Sequence, residues 1–571
     1  MDIRATMQST LQAARQDLGE RAGRRVTAGW IGVGALTALV AAGYIVFVMA
    51  QYDTFRISAD DLLIFDQGVR SYAHFHLGIS PFIGYHLSFG PDYSLLGNHW
   101  SPILAALAPL YWIWNSPITL LVVQAVLFAL AIPWIWVFTR RAFGGGPKAT
   151  VAAYLVSIAY AISWPLASAL VFQFHEVAFA PVLMAVALER LQAGRLRGAL
   201  IALGLLLLVK EDMGLFVAGI GAYLAVSHRI VTRQRLVGLA LIVGGVAYTW
   251  IATDVLIPAF GGRASYYWSY TALGNNVPQA AWHVAAHPLS TLHMLVTPQV
   301  KLDTMLWLFG AFCFLSLLSP IAIATIPLLL ERMLANTAPN WWETSFHYNA
   351  YLVVVLVCAA ADGAARLDRW IARARQQLAA RRAAPAGAAA PPTPGTAAAD
   401  TAPDATDATA PVRPERTTTR QAGTVALVCA AAIFALGLYL IPRFAFGPAL
   451  HRQFYHRNAR MEAAAAAVAV VPSGVTVEAV PYLGPQLSPR DFVLLWDGDG
   501  GTPPTYAPWV VANIRQPQFS FRSVQDQKQR VTQLVHDGYQ IVFRRRGYLV
   551  LHRPGPAGAQ PPITQGTSNG S

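Results

Sequence analysis

The side chains able to do chemistry are concentrated in a few polar stretches. Between Tyr52 and Ser101 lie Asp60, Asp61 and Asp66, in the run Ala59-Asp-Asp-Leu-Leu-Ile-Phe-Asp-Gln67. His74, His76 and His86 follow, then His99 in Asn98-His99-Trp100-Ser101-Pro102. Further along come His175 with Glu176, Lys210-Glu211-Asp212, Arg263, and His347 with Tyr348. A carboxylate can take a proton from a hydroxyl while Lys, Arg or His steadies a leaving phosphate, so these types suit attack of a hydroxyl with departure of a phosphate. The same types also serve divalent-metal sites, but no tight ligand spacing such as His-x-x-x-His occurs. No metal ligand is assigned, and a divalent metal stays open as a cofactor. Plainer roles compete: the Lys-Glu-Asp triplet as an ion cluster filling a helix break, His175 as an imidazole bonded across helices, single acids as hydration of a loop.

The elements that must position these groups are membrane helices. The chain has 571 residues, 55% of them hydrophobic and 12% charged, with a mean hydropathy of +0.42. That is too apolar for a soluble protein and long enough for about ten or eleven spans. The net charge of +13 comes largely from Arg in short loops beside spans, where it sets orientation, so nucleic acid is not expected as a partner. Cys313, Cys358 and Cys429 lie in apolar runs and read as small core residues.

Residues 1–27 form a basic leader whose Arg cluster places the N-terminus in the cytoplasm. Residues 28–375 form the membrane core, with the polar loop 51–116 outside. Ile103 to Trp114 is too short to cross about 30 Å of hydrocarbon and reads as an interfacial or re-entrant helix. Spans follow at Ile118 to Phe138, Thr150 to Leu170, and from Glu176 back to Arg190. Gly198 to Val226 has cations at both ends and a charged triplet within, which predicts two short helices meeting near the outer face. Leu236 to Ile257 is a span leading to a second outer loop, Pro258 to Leu302. Thr304 to Leu330 reads as a hairpin broken at Ser319-Pro320, and a span after Tyr348 returns to Arg366 inside. An Ala/Pro/Thr linker is expected over 376–421, a last span over 422–442, an extracytoplasmic α/β domain over 443–555 and a disordered tail over 556–571. The strand-like runs of that domain are Gly474 to Val480, Asp491 to Trp496, Tyr539 to Phe543 and Tyr548 to Leu551, with a helix over Val524 to His536. This topology gathers the polar motifs on one side of a multi-pass plasma-membrane protein.

Several motifs, in order, resemble the prokaryotic predicted-membrane-protein family called domain of unknown function 2079. They are Asp61-Leu-Leu-Ile-Phe-Asp-Gln67, Gly97-Asn-His-Trp-Ser-Pro-Ile-Leu104, Phe172-Gln-Phe-His-Glu176, Val209-Lys-Glu-Asp212 and Phe346-His-Tyr348. That family in turn resembles the GT-C glycosyltransferases, multi-span enzymes that take a sugar from a polyprenyl-phosphate carrier outside the membrane. The resemblance implies a GT-C-like all-α membrane core with a small α/β C-terminal domain and an inverting transfer, with Asp66 or Asp61 as general base. Lys210, His175 and Arg263 would hold the lipid phosphate, His99 would support it, and Glu176, Glu211, Asp212, His347 and Tyr348 would line the substrate site. The expected partners are membrane lipid, a polyprenyl-phosphate sugar and an unidentified glycan, lipid or protein acceptor. Two other classes compete: a transporter or flippase using the Lys-Glu-Asp cluster, and a non-catalytic assembly or sensor protein. Transporter sites usually sit near the bilayer midplane, whereas these charges fall toward one face.

Overall fold

A computed structural model describes residues 29–227, 233–263, 268–383, 423–497 and 507–554. The expected leader, most of the expected linker and the tail lie outside the described residues. The rest is a helical bundle joined to one mixed sheet. Among the described residues six helices are long and apolar enough to cross a membrane, by length and composition. They are Gly29–Asp53, Pro117–Ala142, Gly146–Val171, Arg233–Ala259, His347–Arg382 and Thr424–Arg443. The remaining apolar helices are shorter because charged, Pro or left-handed residues interrupt them. Leu196–Leu206 and Met213–Ser227 flank the Lys210-Glu211-Asp212 break, as the cation pattern predicts. The Thr304 to Leu330 run is broken twice, at Cys313 and Phe314, whose φ angles are positive, and again at Ser319-Pro320. Ile103 to Trp114 forms a 3-10 turn, Pro102–Leu107, running into the short helix Ala108–Ile113.

The helix ending at Ala383 begins at Leu352 and so continues past residue 376, where the linker was expected to start. Its last turns, Gln376-Gln-Leu-Ala-Ala-Arg-Arg-Ala383, are strong helix formers, and their lack of large apolar groups says nothing against helix.

At the end of the bundle that carries 54–116, which we call the loop end, sits a five-stranded sheet. Its strands are β1 Thr476–Ala479, β2 Phe492–Leu495, β3 Trp509–Asn513, β4 Gln540–Arg545 and β5 Tyr548–His552, in the order β2-β1-β3-β5-β4. β1 pairs in parallel with both β2 and β3, while β5 runs antiparallel between β3 and β4. Four strands fall on the runs expected from sequence. The fifth, β3, lies outside those runs and is buried in mid-sheet between β1 and β5.

The sheet does not stand apart from the bundle. Its hydrophobic core includes Phe55, Ala59, Leu63 and Phe82 from the loop end, packed with Leu483, Leu487, Val493 and Trp496. The Tyr52 hydroxyl donates to the Pro485 carbonyl at 3.0 Å, the Ala59 amide to Pro481 at 2.7 Å and the Gln67 side chain to Val493 at 3.0 Å. These bonds lock the helix Asp60–Ala73 between bundle and sheet.

Candidate functional site

The site is assembled where three interruptions of regular structure meet the start of the Asp60–Ala73 helix. The first is the Phe172–Glu176 turn. Gln124, an amide inside a membrane-length helix, donates to the carbonyls of Ala169 at 3.1 Å and Gln173 at 2.8 Å, and accepts from the His175 amide at 3.1 Å. Gln173 itself has φ of 96°, an unusual conformation for a residue with a Cβ, and its side chain accepts from the Leu62 amide at 3.0 Å. The second is the helix break. The Leu208 carbonyl accepts from the Ile103 amide at 3.0 Å and the Leu207 carbonyl from the Tyr248 hydroxyl, so the freed backbone groups find partners inside the protein. The third is the segment 341–349. Here the buried Arg332 guanidinium donates to the carbonyls of Trp341 at 2.7 Å and Tyr348 at 2.8 Å, and to Asn349 Oδ1 at 2.9 Å.

These supports bring the charged groups together. His175 Nε2 lies 3.2 Å from Asp61 Oδ2, and Lys210 Nζ lies 3.6 Å from Glu176 Oε1. Glu211 accepts at 2.8 Å from the His99 ring and at 3.1 Å from the Trp100 amide, which ties the 98–100 segment to the helix break. The His175 and His347 rings stack with centroids 3.6 Å apart, and the Lys210 ammonium stands 5.6 Å from the Tyr348 ring centre. Burial opposes charge on Asp61, but His175 beside it, helped by His99 and Lys210, holds its carboxyl below the usual range. Burial likewise opposes charge on His99, and Glu211 overrides it, so that imidazole is held above its ordinary value.

Two cavities meet at these residues. A small chamber of about 170 Å³ is lined by Asp61, His99, His175, Glu176, Lys210 and His347, with Phe172, Phe346 and Tyr348 completing its aromatic wall. A larger one of about 710 Å³ is bounded by Leu215, Leu273, Val277, Val284, Pro327 and Leu330 together with Asp212 and Glu331, and also by His99, Lys210 and Tyr348. Lys210 therefore belongs to both. Val277 and Val284, on the rim of the larger chamber, keep part of their surface exposed. Such an arrangement offers an ionised carboxylate, a cation a few ångströms away, and separate polar and apolar compartments on the two sides of that cation.

The profile of a family described as a predicted membrane protein, DUF2079, matches residues 51–389. The chain belongs to that family. This DUF2079 protein is accordingly a multi-pass membrane protein, with six helices among the described residues long and apolar enough to cross the bilayer. No curated protein matches it. Among solved structures it is similar to the crystal structure of ArnT from Cupriavidus metallidurans bound to undecaprenyl phosphate. The identity is 14%, over 93% of this chain and 99% of that one, with a TM-score of 0.44. A likeness that loose carries no argument about the site.

Within the DUF2079 chain, Asp61, His99, His175, Glu176, Lys210, Glu211, His347 and Tyr348 are brought together, and Asp212 faces the larger chamber. Two expected residues are not. Asp66 is wholly buried and accepts from Arg70 Nη2 at 2.9 Å, from the Tyr111 hydroxyl at 2.7 Å and from the Ser488 hydroxyl. Its oxygens are committed to holding helix, bundle and sheet together, and it lines neither chamber. Arg263 is exposed and lies over the Phe89 ring at 5.3 Å, lining neither chamber. Among the described residues no group of three or more His, Cys, Asp or Glu could hold a metal ion. The supporting residues Gln124, Gln173 and Arg332 escaped the sequence reading. A lone glutamine in the Ile118 to Phe138 run was the available signal, since polar groups in hydrocarbon are costly and seldom idle.

Proposed function

We propose that this protein is a membrane glycosyltransferase that moves a sugar from a polyprenyl-phosphate donor to a hydroxyl acceptor on the extracytoplasmic side. The observation that carries the reading is the place of Lys210. It stands where an apolar chamber meets a small polar one, and a phosphate that joins a lipid tail to a sugar needs a cation at that junction. The tail enters the large chamber, the phosphate rests on Lys210 with His99, and the sugar projects toward Asp61. Asp61 takes the proton of the acceptor hydroxyl as its oxygen bonds to the anomeric carbon. The bond from that carbon to the phosphate oxygen breaks, and the released lipid phosphate keeps the electron pair, its charge met by Lys210. His175 holds the Asp61 carboxylate in place.

Orientation supports the same reading. Arg140, Arg141, Arg190, Arg195 and Arg197 belong to loops and helix ends away from the polar segments, Arg366 lies within the long helix Leu352–Ala383, and cations of this kind stay in the cytoplasm. The loop end and the sheet then face outward. Asp61 and His99, both from the loop end, gather the charges there, which favours an enzyme over a transporter with a midplane site.

The test is incubation of membranes with labelled polyprenyl-phosphate sugars. Wild type consumes a donor, while Asp61→Asn and Lys210→Ala each lose about 10²- to 10⁴-fold in rate. Equal consumption by all three proteins defeats the assignment.

A further inference from the structure

Four buried polar atoms on residues that line the small chamber have no hydrogen-bond partner among the described residues. They are both ring nitrogens of His347, Nδ1 of His175 and Oε2 of Glu176. His347 is only 4% exposed, so bulk water does not serve it. A neutral imidazole carries one donor and one acceptor, and a carboxylate oxygen only accepts. The array therefore asks for a ligand that presents donors and acceptors side by side. Adjacent hydroxyls on one ring do this. Beside these histidines the chamber is lined by Phe172 and Phe346, whose rings meet edge to face with centroids 4.6 Å apart, and aromatic rings suit the C–H side of a sugar ring. Phosphate is a poorer match, because Asp61 and Glu176 would repel it inside the chamber, while Lys210 is shared with the larger one. The volume of about 170 Å³ is room for about six water molecules, enough for one sugar ring but not for two joined together.

From this we infer that the small chamber is the subsite for a single monosaccharide unit, with His347 hydrogen-bonding its hydroxyls. The protein then transfers one sugar at a time and rejects donors that carry a preassembled oligosaccharide. This deepens the glycosyltransferase reading and rests on it for the identity of the donor.

The test compares polyprenyl-phosphate hexose and pentose donors with a polyprenyl-phosphate disaccharide, using the full chain in detergent and the His347→Phe variant. Phenylalanine keeps the ring stacked on His175 and removes both nitrogens. The expected result is transfer from at least one monosaccharide donor, a drop of about tenfold to a hundredfold in His347→Phe, and a disaccharide donor used at no more than about a hundredth of the monosaccharide rate. Inhibition by free polyprenyl phosphate stays unchanged in the variant, because that ligand reaches Lys210 without filling the chamber. If His347→Phe transfers within threefold of wild type, or the disaccharide is moved as fast, the inference falls and the enzyme assignment stands. Should the variant fail to fold, the two classes of donor on wild type decide alone. If no donor is consumed, saturation-transfer NMR with free methyl glycosides separates the cases. Binding that His347→Phe abolishes keeps the sugar site and removes the transferase, and no binding removes both.

Discussion

Replacing Asp66 should unfasten the loop end from the sheet. Its carboxylate is wholly buried and accepts from Arg70 on its own helix, from Tyr111 in the bundle and from Ser488 beside the sheet. Hydrogen bonds to a charged group are worth about 1.5–3 kcal/mol each. They are not additive, because the three donors share one pair of oxygens. Deleting one member of a buried charged pair costs about 3–5 kcal/mol, and Arg70, with 12% of its side chain exposed, can recover only part of its hydration. Asp66→Ala is therefore expected to cost about 4 kcal/mol, and Ser488→Ala less. The double variant should fall short of the sum by about 0.5–3 kcal/mol, since both remove the same bond. The assay is denaturation of the purified protein in detergent, followed by tryptophan fluorescence and by proteolysis of the sheet domain. A change within about 0.5 kcal/mol of wild type for Asp66→Ala refutes the clamp. So does an Asp66→Asn protein that keeps its stability but loses turnover by the factor expected of a missing base, for then Asp66 and not Asp61 takes the proton.

Two further outcomes follow from neighbouring groups. Asp60 is half-buried beside Ser58, which donates to it at 2.8 Å, and its partial burial pushes its carboxyl up to about 7. A folded-state value above the unfolded one means that ionised Asp60 costs stability above pH 7, fully so once it is deprotonated in both states. The cost disappears as pH falls below the unfolded value near 4. Asp60→Asn should thus stabilise the protein at pH 8, by at most about 4 kcal/mol for a shift of roughly three units, and leave it unchanged at pH 3.5. Thermal midpoints at the two pH values check this, and an equal gain at both would reject it. Gly97→Ala should damage the site without touching it. An added Cβ would stand 2.3 Å from the Phe260 carbonyl oxygen, which forces apart the backbones that carry His99 and the 260–262 turn. A loss of donor affinity with little change in secondary structure is expected, and wild-type kinetics would show that the contact yields.

Much of the architecture was legible because hydrocarbon is an unforgiving solvent. Charges at Lys210, Glu211 and Asp212 inside an apolar run announce a break, and cations at both ends of Gly198 to Val226 announce a hairpin. The short run after Pro102 could be set aside from the spans by length alone. The grouping of Asp61, His175, Lys210 and His347 was legible in the coarser sense that all belong to polar segments on one side. The choice between Asp61 and Asp66 was partly legible and was not taken. Five residues along a helix correspond to about 140° of rotation, so the two carboxylates cannot face one chamber. What the sequence could not say was which of them faces it, because the groups that engage Asp66 include Ser488, far away in the chain. The stacking of His347 on His175 and the grip of Arg332 on 341–349 likewise depend on distant segments meeting in space. Charge alone marks Arg263 in the sequence, and its place over the Phe89 ring is a contact that an arginine makes without any phosphate.

The shared core between loop and sheet has a consequence for how the protein is made. Phe55, Ala59, Leu63 and Phe82 belong to the first hundred residues, and the groups that cover them lie between Met461 and Leu551. During synthesis the early loop must therefore wait, its apolar face unpaired, until nearly the whole chain has been delivered to the membrane. The helix that carries Asp61 reaches its final position only then. A chain truncated before the sheet would leave that face bare and the chamber unfinished, so a ribosome that stops early releases neither a completed site nor a separable soluble domain.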